Sequence, residues 1–328
     1  MITKKKKILF IWSKKALGEK KRIHWDWLKD CSKQYDIDLW GKGLTNISLQ
    51  SLKNKIDSFK PDFIYMTNKN KYRFWLPDLS SIKNVKKIFV EVDSYKRKAT
   101  ADWYSQFDEL YSRQPIWDFK QSVVPNYLYF RNINKQLIKL QKGDYHRKKI
   151  NSLSRKNEQE CVKRIRFLKT WKNIPLFRWS IPEDSIYTTS SKREGIYFLG
   201  RSSLKISKTR YDLVKRFENK IRYVSNWSKN GYNKILRSAS ALICPTESIY
   251  GDYVPAKLFE FLASGAAVIT NCDLKQYKIN NFSDKIIKYT NLDDLETKLS
   301  LDFTPYYNMS VNILKNHIHS IRYKELFG

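Results

Sequence analysis

Residues 254–271 read Val254-Pro255-Ala256-Lys257-Leu258-Phe259-Glu260-Phe261-Leu262-Ala263-Ser264-Gly265-Ala266-Ala267-Val268-Ile269-Thr270-Asn271. Val-Pro suits the first turn of a helix. The apolar spacing predicts a helix over 254–264, with a buried strand, Ala267 to Thr270, directly behind it. Ala263, Ser264, Gly265 and Ala266 are small enough for close helix–strand packing. Upstream, Ala241-Leu242-Ile243-Cys244-Pro245 reads as a strand ended by proline. Before it come a helix over 232–238, a strand over 221–224, a helix over 211–218 and a glycine-flanked strand over 195–200. Downstream, 285–289 is a further strand and 307–326 a last helix. Strands alternating with helices predict a parallel, doubly wound sheet.

The first half repeats the alternation. Lys7-Ile8-Leu9-Phe10-Ile11-Trp12 is a buried strand, 20–34 a helix with Trp25, Leu28 and Cys31 at helical spacing, and 37–40 a short strand. A helix over 49–59 is broken by Lys60-Pro61-Asp62, and strands follow over 63–66 and 85–92. From Arg131 to Lys172, 14 Lys and Arg stand against three acids. Apolar residues there keep rough helical spacing, which predicts helices with a basic outer face. Pro175 and Pro182 then mark a crossing between domains. The expected division is 1–182, with its basic helical segment 131–172, and 183–328, whose last helix packs back on the first domain. No repeat with a period of 20–50 residues is found.

Composition narrows the class. The chain has 328 residues, 41% hydrophobic and 15% aromatic, enough for two cores and too much for a disordered chain. Its four Cys form no CxxC pair, which excludes a disulfide scaffold and standard zinc modules. There is no apolar run of transmembrane length. The basic start precedes only five apolar residues before Ser13, too short for a signal peptide. A reduced, cytoplasmic protein is expected. Lys and Arg total 63 against 32 acids, a formal net charge of +31. Drift toward Lys in an AT-rich genome would raise Glu as well, and acids are few. Self-repulsion on this scale is relieved by a polyanion, either nucleic acid or an anionic membrane.

Ligands of parallel α/β sheets bind beyond the carboxyl ends of strands. One such end is Leu199-Gly200-Arg201, where an arginine can pair with phosphate oxygens. The same residues also fit a turn with a surface arginine. At the 254–264 helix, exposed N–H groups can hold a diphosphate. Lys257 opposes the helix dipole there unless an anion is bound. Glu260, three residues on, can accept two ribose hydroxyls, although a Lys–Glu surface pair fits the spacing as well. Asp93 ends the strand 85–92 and is a candidate base or acceptor contact, or simply a turn cap. Lys69, Lys71, Arg73 and Trp75 interleave bases with aromatics after the strand 63–66, as phosphate and a stacked base would require. A surface loop would read the same way.

The segment Gly195 to Asn271 resembles the donor-binding half of GT-B glycosyltransferases of the family 4 and CgeB-like groups. The matching pattern is Gly200-Arg201, Tyr232-x-x-Ile235-Leu236-x-Ser238-Ala239, Pro245, then Pro255-Ala256-Lys257-Leu258-Phe259-Glu260 leading to Ala263-x-Gly265 and Val268-Ile269. It covers about a quarter of the chain. The resemblance implies two Rossmann-like domains facing each other across a cleft. It makes Gly200, Arg201, Lys205, Lys257, Leu258 and Glu260 the donor-binding residues. Asp252, eight positions before Glu260, stands where relatives carry a second acid that contacts the sugar. A nucleotide-diphosphate sugar, UDP-linked, is implied as co-substrate, with no tightly bound cofactor and no metal. The acceptor is expected to be polyanionic. A hydroxymethylated base in DNA, as in phage-type DNA modification, is preferred to a lipid-linked or cell-surface glycan at the inner membrane face. A non-catalytic nucleic-acid-binding protein on a degenerate GT-B fold is the third reading. Without GxGxxG or GxxxxGK[ST], a Rossmann oxidoreductase or kinase has no support.

Overall fold

The computed structural model describes residues 4–14, 22–67, 75–91, 101–112, 179–185, 192–202, 208–226, 228–246, 254–272, 285–309 and 311–328. They form two compact units. Among the described residues, the first unit comprises those up to 112 together with 318–328, and the second those from Trp179 to His317.

The first unit is built on β1 (Lys7–Ile11), β2 (Asp36–Trp40), β3 (Phe63–Thr67), β4 (Lys86–Glu91) and β5 (Glu109–Ser112). All pairings are parallel, in the order β2-β1-β3-β4-β5. Strands buried on both faces read as continuous apolar runs, and Ile8, Leu9 and Phe10 of β1 are fully buried. The edge strand β5, Glu-Leu-Tyr-Ser, lacks such a run, and sequence patterning misses it. Helix α1 (Arg22–Gln34) buries Trp27, Leu28 and Cys31. Helix α2 (Leu49–Phe59) starts at Ser48, whose side chain accepts from the Ser51 N–H, and stops at left-handed Lys60 before Pro61. A short α3 (Ala101–Ser105) precedes β5.

The second unit holds β6 (Ile196–Leu199), α4 (Lys208–Arg216), β7 (Arg222–Val224), α5 (Lys229–Ser238), β8 (Ala241–Cys244), α6 (Ala256–Ala263), β9 (Ala267–Thr270), β10 (Ile287–Lys288) and α7 (Leu292–Lys298). Its sheet is also parallel and five-stranded, in the order β10-β9-β8-β6-β7. Phe198, Leu213, Phe217, Ile243, Ile269 and Leu295 belong to its core. Behind α6, the Arg193 guanidinium donates to the carbonyls of Ala239 (3.1 Å) and Ser264 (2.8 Å) and lies over the Tyr307 ring. Gly265 beside it has φ +70, and a Cβ there would overlap the Asn308 side chain. Helix α7 escapes the apolar pattern but carries its own start signal. Asn291 accepts from the Asp294 N–H at 2.9 Å, and Asp294 accepts from the Thr290 N–H at 2.9 Å.

The last segment differs from the single helix expected over 307–326. Helix α8 (Val311–Leu314) and a 3₁₀ turn end at His317, Ile318 is extended, and α9 (His319–Phe327) follows. The His317 carbonyl accepts from the Ile181 N–H (3.0 Å), so it is lost to the helical ladder. Helix α9 packs in the first unit. Tyr323 meets Trp27 edge-on at 4.5 Å, and Phe327 meets Phe63 (5.4 Å) and Tyr65 (5.7 Å). His319 Nδ1 lies 2.9 Å from Asp30 Oδ2, with both residues buried, and Lys33 donates to Asp30 Oδ1 at 2.7 Å. The basic run at the start of the chain is structural at three positions. Lys5 donates to the Lys33 carbonyl, Lys6 to those of Phe327 and Gly328, and Lys7 to that of Phe59. Each therefore closes the carboxyl end of a helix, where a cation is favourable. No described helix is long and apolar enough to cross a membrane.

Burial raises the Asp30 carboxyl, but hydrogen bonds from His319 and Lys33 outweigh it and hold the pKa below the ordinary carboxylate value. A lowered carboxylate stabilises the fold above its unfolded pKa and loses that contribution as pH falls through the folded one. Asp30→Asn is therefore expected to cost about 3 kcal/mol at neutral pH. It should also flatten the acid loss of stability, both read as urea midpoints across pH 3–7 (roughly the carboxylate range and above).

Candidate active site at the carboxyl edge of the second sheet

From β6 the chain moves to β7 on one side, then returns to β8 on the other. The switch point thus lies between β6 and β8, where open α/β sheets bind ligands beyond the strand ends. Leu199-Gly200-Arg201-Ser202 leaves β6 at this point, and Pro245-Thr246 leaves β8. Helix α6 starts after the loop that follows β8. Its N-cap is Pro255, which offers no side-chain acceptor to the first-turn amides.

Lys257, in that first turn, donates from Nζ to the Leu199 carbonyl at 2.6 Å. Burial pushes its ammonium pKa down, Cys244 and Glu260 oppose this, and the charge of Arg210 adds to it. Gly200 is not in the left-handed region. Its lack of a side chain serves close approach instead, because a Cβ would sit 3.3 Å from the Phe198 ring and 3.7 Å from Lys257 Nζ. Arg201 is exposed. The following turn is held by Ser202, whose N–H donates to Tyr223 Oη (3.0 Å) and whose hydroxyl donates to the Arg210 carbonyl (3.1 Å). Tyr223 in turn stacks on Phe198 at 5.8 Å.

Glu260 follows Lys257 on α6 and is half-buried. It accepts a hydrogen bond from the Tyr232 hydroxyl, which reaches it from α5. Leu258 between them is fully buried. On the other side, Thr246 and Asn271 lock the ends of β8 and β9. The Thr246 N–H donates to Asn271 Oδ1 at 2.7 Å, and Asn271 Nδ2 returns a bond to the Thr246 carbonyl at 2.8 Å. Thr270 Oγ1 donates to the Cys244 carbonyl at 2.7 Å.

The structure thus brings Gly200, Lys257 and Glu260 to one strand-end region, with Arg201 exposed beside them. Lys205 and Asp252 lie outside the described residues, as do Asp93, Lys69, Lys71, Arg73 and the basic segment 131–172. Trp75 is half-buried in the first unit, its ring 6.0 Å from that of Trp40. Sequence reading did not single out Arg210, Tyr232, Thr246 or Asn271 as site residues. Thr246 and Asn271 follow strand ends closely, a positional signal that would have found them. Nothing in the spacing ties Tyr232 to Glu260, because the loop and helix between them decide the contact. Among the described residues, no group of three or more His, Cys, Asp or Glu could hold a metal ion.

No family model and no curated protein matches the chain. Solved structures do. AviGT4, a glycosyltransferase involved in avilamycin A biosynthesis, superposes over 98% of this chain and 96% of its own, with a TM-score of 0.56 and 8% identity. Sucrose-phosphate synthase from Thermosynechococcus elongatus covers 98% of this chain and 99% of its own, with a TM-score of 0.53 and 9% identity. Both are GT-B glycosyltransferases, and at such identities the likeness establishes the fold: two parallel α/β units of that architecture.

Lys257→Met deprives the Leu199 carbonyl of its donor. It is expected to cost about 1–3 kcal/mol in a urea unfolding curve, with Lys257→Arg recovering part of the loss.

Proposed function

We propose that the chain is a glycosyltransferase that takes a sugar from a nucleotide-diphosphate donor, UDP-linked, and needs no metal. The observation that carries this reading is the helix α6. It opens without a side-chain cap at the sheet's switch point, with Lys257 and Glu260 in its opening turns and Arg201 exposed on the adjoining one. Backbone amides, Arg201 and Lys205 suit a diphosphate. Glu260 suits the ribose hydroxyls, and Asp252 the sugar. Lys257, bound to the Leu199 carbonyl, adds positive charge close to the leaving group. Catalysis is then positioning plus stabilisation of the departing diphosphate.

The acceptor residues belong to the N-terminal half, expected over 1–182: Asp93 as base or contact, with Lys69, Lys71, Arg73 and Trp75. The net charge of +31 supports a polyanionic acceptor. We assign it as DNA with a hydroxymethylated base, flipped out of the duplex for transfer. Radiolabelled nucleotide sugars offered with hydroxymethylated DNA, plain DNA and a membrane glycolipid extract test this. Label in hydroxymethylated DNA alone is expected. Label in the lipid fraction alone replaces DNA by a membrane glycan and leaves the transferase reading standing. Label in no acceptor, with no free sugar released from any donor, overturns the transferase reading in favour of a binding protein. Arg201→Ala is expected to lower kcat about a hundredfold with little change in melting temperature, measured with the donor that wild type uses.

A further inference from the structure

We infer that Tyr232 is a positioning residue for the nucleotide, holding the Glu260 carboxylate in one orientation for ligand contact. The inference rests on the donor-site reading above.

Tyr232 is buried at 5% exposure, and Leu236, one turn later on the same face of α5, at 2%. The first turn of α5 is fixed from outside the helix. Ser228 Oγ accepts from the Gly231 N–H at 3.1 Å, and the Ser228 carbonyl accepts from the Tyr232 N–H at 2.9 Å. The phenol therefore points from a rigid support, and its O–H donates to Glu260 Oε2. A phenol has no charge to neutralise a carboxylate, so the bond orients Glu260 without removing its negative charge. Donation to an ionised carboxyl favours that form. An ionised carboxylate only accepts hydrogen bonds, which is what a pair of ligand hydroxyls requires.

Lys257, on the same helix, and Cys244, at the end of β8, are coupled electrostatically to Glu260 as well. Lys257 also favours the ionised form. It is itself tied to the Leu199 carbonyl, so it and Tyr232 act on Glu260 from different elements.

Isothermal titration of the full chain with UDP, with GDP and ADP in parallel, tests the inference as a double-mutant cycle. Tyr232→Phe keeps the ring in the core and removes only the donor. It is expected to weaken UDP about tenfold. Glu260→Gln is expected to weaken UDP at least as much, and the double variant no more than Glu260→Gln alone, because Tyr232 acts through Glu260. The acid fall-off of UDP affinity should also move to higher pH in Tyr232→Phe.

UDP binding to Tyr232→Phe as tight as to wild type overturns the inference while Glu260→Gln still weakens it, and losses that simply add do so too. Wild type binding none of the three nucleotides overturns the donor reading itself, and the inference with it. Should Tyr232→Phe not fold, Glu260→Gln alone decides: weaker UDP binding is expected, and binding as tight as wild type's overturns the inference, because Tyr232 then has no carboxylate through which to act.

Discussion

In a parallel sheet, the carbonyls at strand ends point into the region where ligands bind, and something must satisfy them or leave them to solvent. At the end of β6, Lys257 supplies the donor from the first turn of α6. This bond ties the start of a helix to the end of a strand that is not its sequence neighbour. The place where the chain leaves β6 is fixed by it, and a Cβ at Gly200 would press on the Phe198 ring at 3.3 Å and reach ordinary contact with Lys257 Nζ at 3.7 Å. The opposite end of α6 is held as firmly, since Arg193 bonds the Ser264 carbonyl and Gly265 turns the chain into β9. With both ends fixed, Glu260 has a set position on α6, and Tyr232 approaches it from a separately capped helix. The polar edge of this sheet is built by the same contacts that pack it.

Much of this was legible in the sequence because parallel strands are buried on both faces. Runs such as Ile8 to Ile11 and Ala241 to Cys244 have no other place to go. The helix over 49–59 was bounded as well, by Lys60, Pro61 and Asp62 after it. What escaped was specified by partners far along the chain. β5 is an edge strand with only one neighbour, so it needs no apolar run. α7 depends on a polar cap at Asn291 rather than an apolar stripe. The break at Ile318 follows from the bond between Ile181 and His317, residues separated by the whole second unit. In the site, residue types and spacing pointed to Lys257 and Glu260. The Leu199 carbonyl and the Tyr232 hydroxyl could not be foreseen, because both contacts are tertiary.

The same distinction applies to charge. The lysines at the start look like an electrostatic tag, yet Lys5, Lys6 and Lys7 close three helix ends. Several of the described acids are paired. Asp30 serves His319 and Lys33, Glu109 serves Lys86, and Glu296 serves Arg216 and Lys220. The Glu109 and Glu296 pairs are exposed and contribute little to stability, whereas the Asp30 pair is buried. Among the described residues, these contacts draw on several acids and a limited set of cations. A surplus of +31 goes far beyond what those contacts need. Self-repulsion on this scale works against the compact state.

The two sheets differ in the side chains at their carboxyl ends. In the first sheet, β1 leads into Trp12 and β2 ends at Trp40, both almost completely buried. Trp12 stacks on Phe10 at 5.6 Å, and Trp75 packs beside Trp40. Gly41 has a positive φ and lies so close to the Trp12 carbonyl that a Cβ would overlap it. Indole rings thus fill the ends of β1 and β2. The second sheet presents a half-buried lysine, a half-buried carboxylate and a helix start without a side-chain cap. A diphosphate needs amides and cations, while stacked rings favour flat apolar faces. Among the described residues, an uncapped helix start, a lysine and a carboxylate meet at the edge of the second sheet, and buried indoles lie at the ends of β1 and β2.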